Sequence, residues 1–249
     1  FYKIIKSRNL PGYNIGYADK NDTIFYISNG IIPIRNERYN WKGVVPGNTK
    51  KTLWTEYYKV EDLPQVINPK SGFIYNANHS PFKSTDKNNN PKAEDFSKTM
   101  GYELYDNNRS SRILHLLESF EKIDFETFKK IKNDRTFPTP LNYNYIDINN
   151  VFEMVPENYP KITELLQSIQ SWDKTADADS FGAGTYAMFY YEINKHYEPY
   201  INKKYSKEHI AEILLDVKNN MVKNFKSTKV KLGDFQKLVR GKKELPIFG

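Results

Sequence analysis

The sequence contains no cysteine. That absence excludes disulfides, zinc-thiolate sites and a thiol nucleophile within the segment, and it does not assign a redox compartment, because exported proteins can also lack cysteine. No run of about 18 apolar residues and no charged-then-apolar leader is present, so nothing in the sequence reads as spanning a membrane or as an export signal. Histidine is scarce: His79, His115, His196 and His209 fall at no metal-ligand spacing such as HxxxH. A Gly-rich phosphate loop and a GxSxG elbow are missing too, which sets aside metallohydrolase, P-loop and α/β-hydrolase chemistry. There is no internal repeat, and the frequent Asn and Lys read as a compositional bias of the genome.

What is present is a folding sequence. Of its 249 residues 39% are hydrophobic, and 19 Tyr and 15 Phe bring enough buried area for a core. The net charge of +7 would permit binding to nucleic acid or a membrane surface, but the lysines are scattered among acids instead of forming a stripe. The expectation is a solvated basic surface, with neither nucleic acid nor membrane as partner. The chain begins at Phe1 instead of Met, from which a piece of a longer precursor is expected, with any signal peptide upstream.

Two β-prone runs, Tyr13 to Ala18 and Thr23 to Ser28, flank Asp19-Lys20-Asn21-Asp22 and predict a hairpin. Asn29-Gly30 then turns the chain and Pro33 ends the pairing. Residues 39 to 62 read as a surface loop in which Trp41 and Trp54 serve as packing anchors, Phe73 to Asn76 as a strand, and 83 to 97 as a long loop. From Asn108 the period becomes helical, with Arg112, Ile113, Leu116, Leu117 and Phe120 on one face. Asp124 caps a second helix carrying Phe125, Phe128 and Ile131. Further helices are predicted at about 159 to 172 (Leu165, Leu166, Ile169 and Trp172 inward) and about 180 to 198 (Ala183, Ala187, Tyr190 and Ile193 inward). Another runs from Ser206 as N-cap to about Phe225 through Ile210, Ile213, Leu214, Val217 and Met221, and a short last one covers Phe235 to Val239. Strands first and helices afterwards predict an α+β chain, divided into a β-rich part over 1–100 and a mainly helical subdomain over 101–249.

The chemistry-bearing stretch is GFIYNANHSP, residues 72 to 81. On a strand, side chains alternate, so Asn76 and Asn78 share one face while Tyr75 and Ala77 take the other. An amide N–H aimed at a carbonyl oxygen gains value as that oxygen acquires charge, about 2.7–4 kcal/mol per oxyanion-hole donor. The same amides would equally serve to cap a turn before Pro81. Arg109, one turn before Arg112, would be solvated or, to relieve the repulsion between two like charges, ordered by acceptors.

NPKSGFIYNANHSP (68 to 81), preceded by GYADKNDTIFYISNGIIPIR and WKGVVPG and followed by YDNNRSSRILHLL (105 to 117), resembles the large-chain core of the penicillin amidase family. SWDKTADADSFGAGTYAMFYYEI (171 to 193) is similar to the family's WDG…DS segment, and GDFQKLVRGKKELPIFG (233 to 249) to the RG…LP segment of its homoserine-lactone and aculeacin acylases. The resemblance spans nearly the whole chain in the right order. It implies an internal segment of the large chain of an N-terminal-nucleophile hydrolase, part of an αββα sandwich followed by a helical subdomain. It implies further a self-processed precursor, a serine nucleophile upstream of this chain, and hydrolysis of a linear acyl amide through an acyl-enzyme. Asn78 then stands where the family's oxyanion donor stands and Arg109 where an Arg orders that site, with Asn76 and His79 in supporting places.

Two departures accompany the resemblance. Ala77 and His79 replace the usual aromatic-and-Asn pattern, so the acyl-pocket wall differs. A longer loop between Asn78 and Arg109 leaves Asp86 and Asp95 as alternative candidates for the family's calcium-binding Asp. No cofactor is required, and a structural Ca2+ would be held mainly by residues outside the segment. The implied partners are the small chain, the remainder of the large chain and an acylated small molecule; the implied location is periplasmic or secreted. The segment alone is expected to be inactive. The alternative to an enzyme is a non-catalytic acylase-like module that binds acylated ligands or supports an assembly.

Overall fold

The structure, a computed structural model, describes residues 1–195, 198 and 201–248. It is a mixed α and β chain that divides into two compact units, Phe1–Phe120 and Glu121–Gly249. The first unit runs past residue 100, where the sequence suggested a division, because the helix that follows is hydrogen-bonded back to residues 77 and 78.

In the first unit a short helix, α1 (Tyr2–Lys6), precedes an antiparallel sheet in the order β1 (Asn14–Ala18), β2 (Ile24–Ser28), β3 (Gln65–Ile67). The hairpin of β1 and β2 forms as expected, with Gly16 opposite Tyr26; Asp19 closes its turn by accepting the Asn21 and Thr23 N–H groups. β3, too short to carry a sequence period, was not anticipated. β2 is the central strand, and Phe25, Tyr26 and Ile27 are all buried because both its faces are covered. Phe25 and Ile27 join Ile5, Val60 and Leu63 in a core on one face. Tyr26 looks to the other face, donates to Asn14 Oδ1 at 3.0 Å, and interacts there with the Asn76 side chain.

Regular structure in this unit is sparse, three short strands tied together by loops and 3-10 turns. Trp41 packs as expected, its indole N–H donating to Asn36 O at 2.8 Å. Trp54 is half exposed and stands against Arg35, whose guanidinium lies 5.0 Å from that ring and 5.8 Å from Trp41. Helix α2 (Asn108–Glu118) closes the unit; its apolar face is only half buried, and Phe120 beyond it is exposed.

The second unit is mainly helical. Asp124 caps α3 (Phe125–Lys132) by accepting the Thr127 N–H at 2.7 Å, but only Ile131 is buried, whereas Phe125 and Phe128 are exposed. The core is built by α4 (Thr163–Gln170), α5 (Phe181–Asn194) and α6 (Lys207–Phe225) around Leu166, Ile169, Phe189, Ile193, Ile210 and Leu214, each at 0% exposure. α4 buries the expected Leu165, Leu166 and Ile169, and α6 all five residues expected of it, behind Ser206 as N-cap. α5 buries the expected Ala183 and Ile193, but between them Tyr186 and Phe189 are the buried residues while Ala187 and Tyr190 are half-buried, a partial rotation of the inward face. That helix ends at Asn194, short of the expected 198; His196 lies outside the described residues.

Two glycines place α5. A Cβ on Gly182 would stand 2.5 Å from the Trp172 Cβ, and one on Gly184 would stand 2.2 Å from Val230 O. The bareness of Gly182 admits Trp172, and that of Gly184 admits the 230–232 segment leading into α7 (Leu232–Phe235), where the Leu232 N–H donates to Ser180 O at 3.1 Å. A parallel pair, β4 (Ile146–Asp147) and β5 (Lys203–Lys204), joins two connecting segments. The expected last helix over 235–239 is corrected by the structure. α7 stops at Phe235, and Leu238 and Val239 lie in β6 (Lys237–Arg240), which pairs with β7 (Lys243–Pro246) across a two-residue turn holding Gly241 at φ 60°. Val239 and Leu238 are β-prone and the turn needs a glycine, a hairpin pattern that the helical reading overlooked.

Candidate functional site

Residues 73–76 are extended but form no strand, contrary to the sequence reading. The Tyr75 N–H goes to Ser84 O at 2.9 Å and the Thr85 hydroxyl to Phe73 O at 2.8 Å, so the chain pairs with its own following loop and not with a sheet. The alternation survives: Tyr75, Ala77 and His79 are buried, Asn76 and Asn78 exposed. It ends at Asn78, whose φ of 56° is left-handed, a conformation Asn tolerates better than most residues.

The two amides do different work. Asn76 Oδ1 accepts the Asn78 N–H at 3.1 Å, closing an Asx turn, and Asn76 also meets the Tyr26 hydroxyl. It builds the loop and ties it to the sheet. Asn78 projects from that turn, and its Oδ1 accepts from Arg109 Nη2 at 3.1 Å. A guanidinium can only donate, so the amide atom facing it is the oxygen. The Nδ2 with its two hydrogens has no partner among the described residues.

Arg109 sits in the first turn of α2, where a cation opposes the helix dipole, and it is held there by acceptors: Asn78 Oδ1 and Ala77 O, the latter at 2.9 Å. Asn107 completes the clamp. Its Oδ1 caps α2 by accepting the Ser110 N–H at 2.9 Å, while its Nδ2 donates to Ala77 O at 2.9 Å and Asn78 O at 3.3 Å. Arg109 is exposed and at the same time hydrogen-bonded to Ala77 O and Asn78 Oδ1.

His79 is buried beneath this turn. Its Nδ1 accepts the Ala77 N–H at 3.1 Å and its Nε2 lies 2.7 Å from Lys83 O. An N–H facing Nδ1 and a carbonyl facing Nε2 admit only the neutral tautomer with the proton on Nε2. Burial depresses the His79 pKa, an effect that outweighs the opposing pull of the Lys83 carbonyl and Asp106. Tyr75 stacks on the ring at 4.8 Å between centroids. Lys83 in turn holds Asp106 at 2.5 Å, and Asp106 accepts the Ser110 hydroxyl at 3.1 Å.

The sequence reading brought Asn76, Asn78, His79 and Arg109 forward, and the structure brings all four together within one loop and one helix start. It missed Asn107, Lys83 and Asp106. An Asn just before a helical period with Ser three residues on is a capping signal, and it could have found Asn107. Nothing local marks the other two.

Asp86 and Asp95, the two candidates for a calcium-binding Asp, stand in different surroundings. Asp86 Oδ1 is taken by Asn89 Nδ2 at 2.5 Å and its Oδ2 by the Asn88 N–H at 3.1 Å. Asp95 is exposed in a 3-10 turn. Among the described residues no three His, Asp or Glu side chains converge. No helix of the described residues is long and apolar enough to cross a membrane.

A family model described as penicillin amidase matches residues 1–242. A penicillin G acylase of Escherichia coli is 42% identical over 67 residues, 27% of this chain and 8% of that protein. The solved structure of a thermostable penicillin G acylase from Alcaligenes faecalis superposes with a TM-score of 0.51 at 15% identity, covering 84% of this chain and 46% of that one, a likeness of fold. The chain thus spans about half the length of that solved relative.

Proposed function

Because the chain belongs to the penicillin amidase family, we propose that it is the part of an amidohydrolase that supplies one side of the oxyanion hole for hydrolysis of a linear acyl amide. The observation that carries this reading is the Asn78 amide, turned by Arg109 so that its N–H groups are the uncommitted end. Such a donor costs little while the substrate carbonyl is neutral. It strengthens as the tetrahedral intermediate places negative charge on the oxygen.

In this reading the rest of the machinery comes from elsewhere in a longer precursor. A serine freed as a new N-terminus attacks the acyl carbon, its own α-amine taking the hydroxyl proton and passing it to the substrate nitrogen, which leaves as the neutral amine when the C–N bond breaks and the acyl-enzyme forms. Water then releases the acid. The αββα sandwich, the small chain, the remainder of the large chain and a periplasmic or secreted location belong to the same proposal, which the family and the shorter span of this chain support. Arg109 and Asn107 hold the donor, Asn76 shapes its turn, and no metal step is required of these residues.

In the complete protein Asn78→Ala should lower kcat two to three orders of magnitude, about the worth of one oxyanion donor. A variant with wild-type turnover would refute the assignment. N-terminal sequencing and intact mass of the same preparation check the processing: two chains, the larger beginning with Ser, are expected, and one uncut chain would favour a binding module.

A further inference from the structure

We propose that His79 is the positioning residue that holds the Asn78 donor in place, and that it does so only as the neutral Nε2–H tautomer, so that protonating the ring dismantles the site. The inference rests on the reading of Asn78 as the oxyanion donor and adds to it a regulating proton.

Ala77 is pinned on both sides. Its carbonyl is held by Asn107 and Arg109, and its N–H by His79 Nδ1. His79 is itself anchored through Nε2 to Lys83 O, and Lys83 through Asp106 to Ser110 at the start of α2. One ring therefore links the loop that carries Asn78 to the helix start that carries Arg109. Adding a proton to Nδ1 sets an N–H against the Ala77 N–H, two donors facing each other, where an acceptor had been. The Asn78 backbone, one residue on and already in a left-handed conformation, is tied through its N–H to Asn76 Oδ1 and through its carbonyl to the Asn107 amide at 3.3 Å.

The groups facing the ring do not offer it a counter-charge. Lys83 and Arg109 both oppose an imidazolium; Asp106 favours one, but its oxygens are engaged by Lys83 and Ser110. Tyr75 stacks on the ring, and burial together with Asp106 and Glu118 pushes its own pKa up, so it stays neutral. The sign follows. An unfolded His79 takes its proton near pH 6.5, the folded one only at lower pH, so the unfolded chain binds more protons in that window. The contribution is fully present above about pH 6.5 and is lost as pH falls toward the folded pKa.

The test uses the complete processed protein, a panel of aliphatic and aryl acyl p-nitroanilides, and the variants His79→Asn, His79→Gln and Asn78→Ala, followed by kcat and KM against pH and by hydrogen exchange of the peptide containing Ala77. At neutral pH the His79 variants should lose about 10-fold in kcat with KM within about twofold, the cost of a small misplacement of a catalytic group. Their acid limb should keep the ionisation of the nucleophile's α-amine and lose the second, lower one expected of wild type. Wild-type Ala77 should lose exchange protection in acid, and the variants should lack it at every pH. If Asn78→Ala is inactive while both His79 variants keep the wild-type kcat and acid limb, the positioning role is overturned and the oxyanion reading stands. If Asn78→Ala is fully active, the oxyanion reading fails, and the switch built on it fails with it. Ala77 protection that does not depend on pH or on His79 overturns the inference whatever the rates.

Discussion

Arg109→Ala tests how the donor is held. The side chain makes two hydrogen bonds, to Ala77 O at 2.9 Å and to Asn78 Oδ1 at 3.1 Å. The first is shared with Asn107, so its loss leaves Ala77 O satisfied. The second is what distinguishes the two ends of the Asn78 amide. A hydrogen bond to a charged group contributes about 1.5–3 kcal/mol, and because Arg109 is exposed the lower figure applies. About 1.5 kcal/mol is roughly a tenfold bias toward the productive orientation, so kcat should fall about tenfold with KM little changed. That is well short of the two to three orders expected for removing the donor itself. A double-mutant cycle on a chromogenic anilide gives the sharper reading: in an Asn78→Ala background the Arg109→Ala change should cost less than about twofold, a coupling of about 1–1.4 kcal/mol. Additive losses would refute the reasoning, since they would mean that Arg109 acts on catalysis by a route that does not pass through the Asn78 amide.

Two further predictions concern the second unit. Gly184→Ala puts a Cβ 2.2 Å from the backbone oxygen of Val230, so α5 or the 230–232 segment must shift; a loss of about 1–3 kcal/mol or more is expected in urea unfolding, and a wild-type midpoint would contradict the close approach. Ser206→Ala removes the oxygen that accepts the His209 N–H at the start of α6 and should cost about 1 kcal/mol, with Ser206→Thr largely restoring it.

Much of the helical unit was legible in its periodicity. α6 repeats apolar residues every three or four positions over 19 residues with a Ser before them, and it folds with that face inward. Where the expectation slipped, packing intervened. α5 is apolar nearly all round, so its sequence names no single inward face, and Gly184 against Val230 decides the rotation. The C-terminal hairpin was missed because its strands are four residues each, too short for their period to outweigh a helical reading.

The sequence by itself determined the residue types of the site and their alternation, Asn76 and Asn78 on one side and Tyr75 and Ala77 on the other, and their order along the chain marks the family, but which side is buried came from the structure. The sequence could not determine what those side chains face. That Arg109 reaches across 31 positions to Asn78 and that Asn107 spends its amide on Ala77 and Asn78 are consequences of α2 being brought against the 76–80 turn, while the fold of the loop itself gives His79 one donor, the Ala77 N–H, and one acceptor, Lys83 O. A hydrogen bond depends on distances of a few ångströms between groups far apart in the chain. Only the tertiary structure sets those distances, and with them which end of an amide is free and which nitrogen of a ring carries the proton.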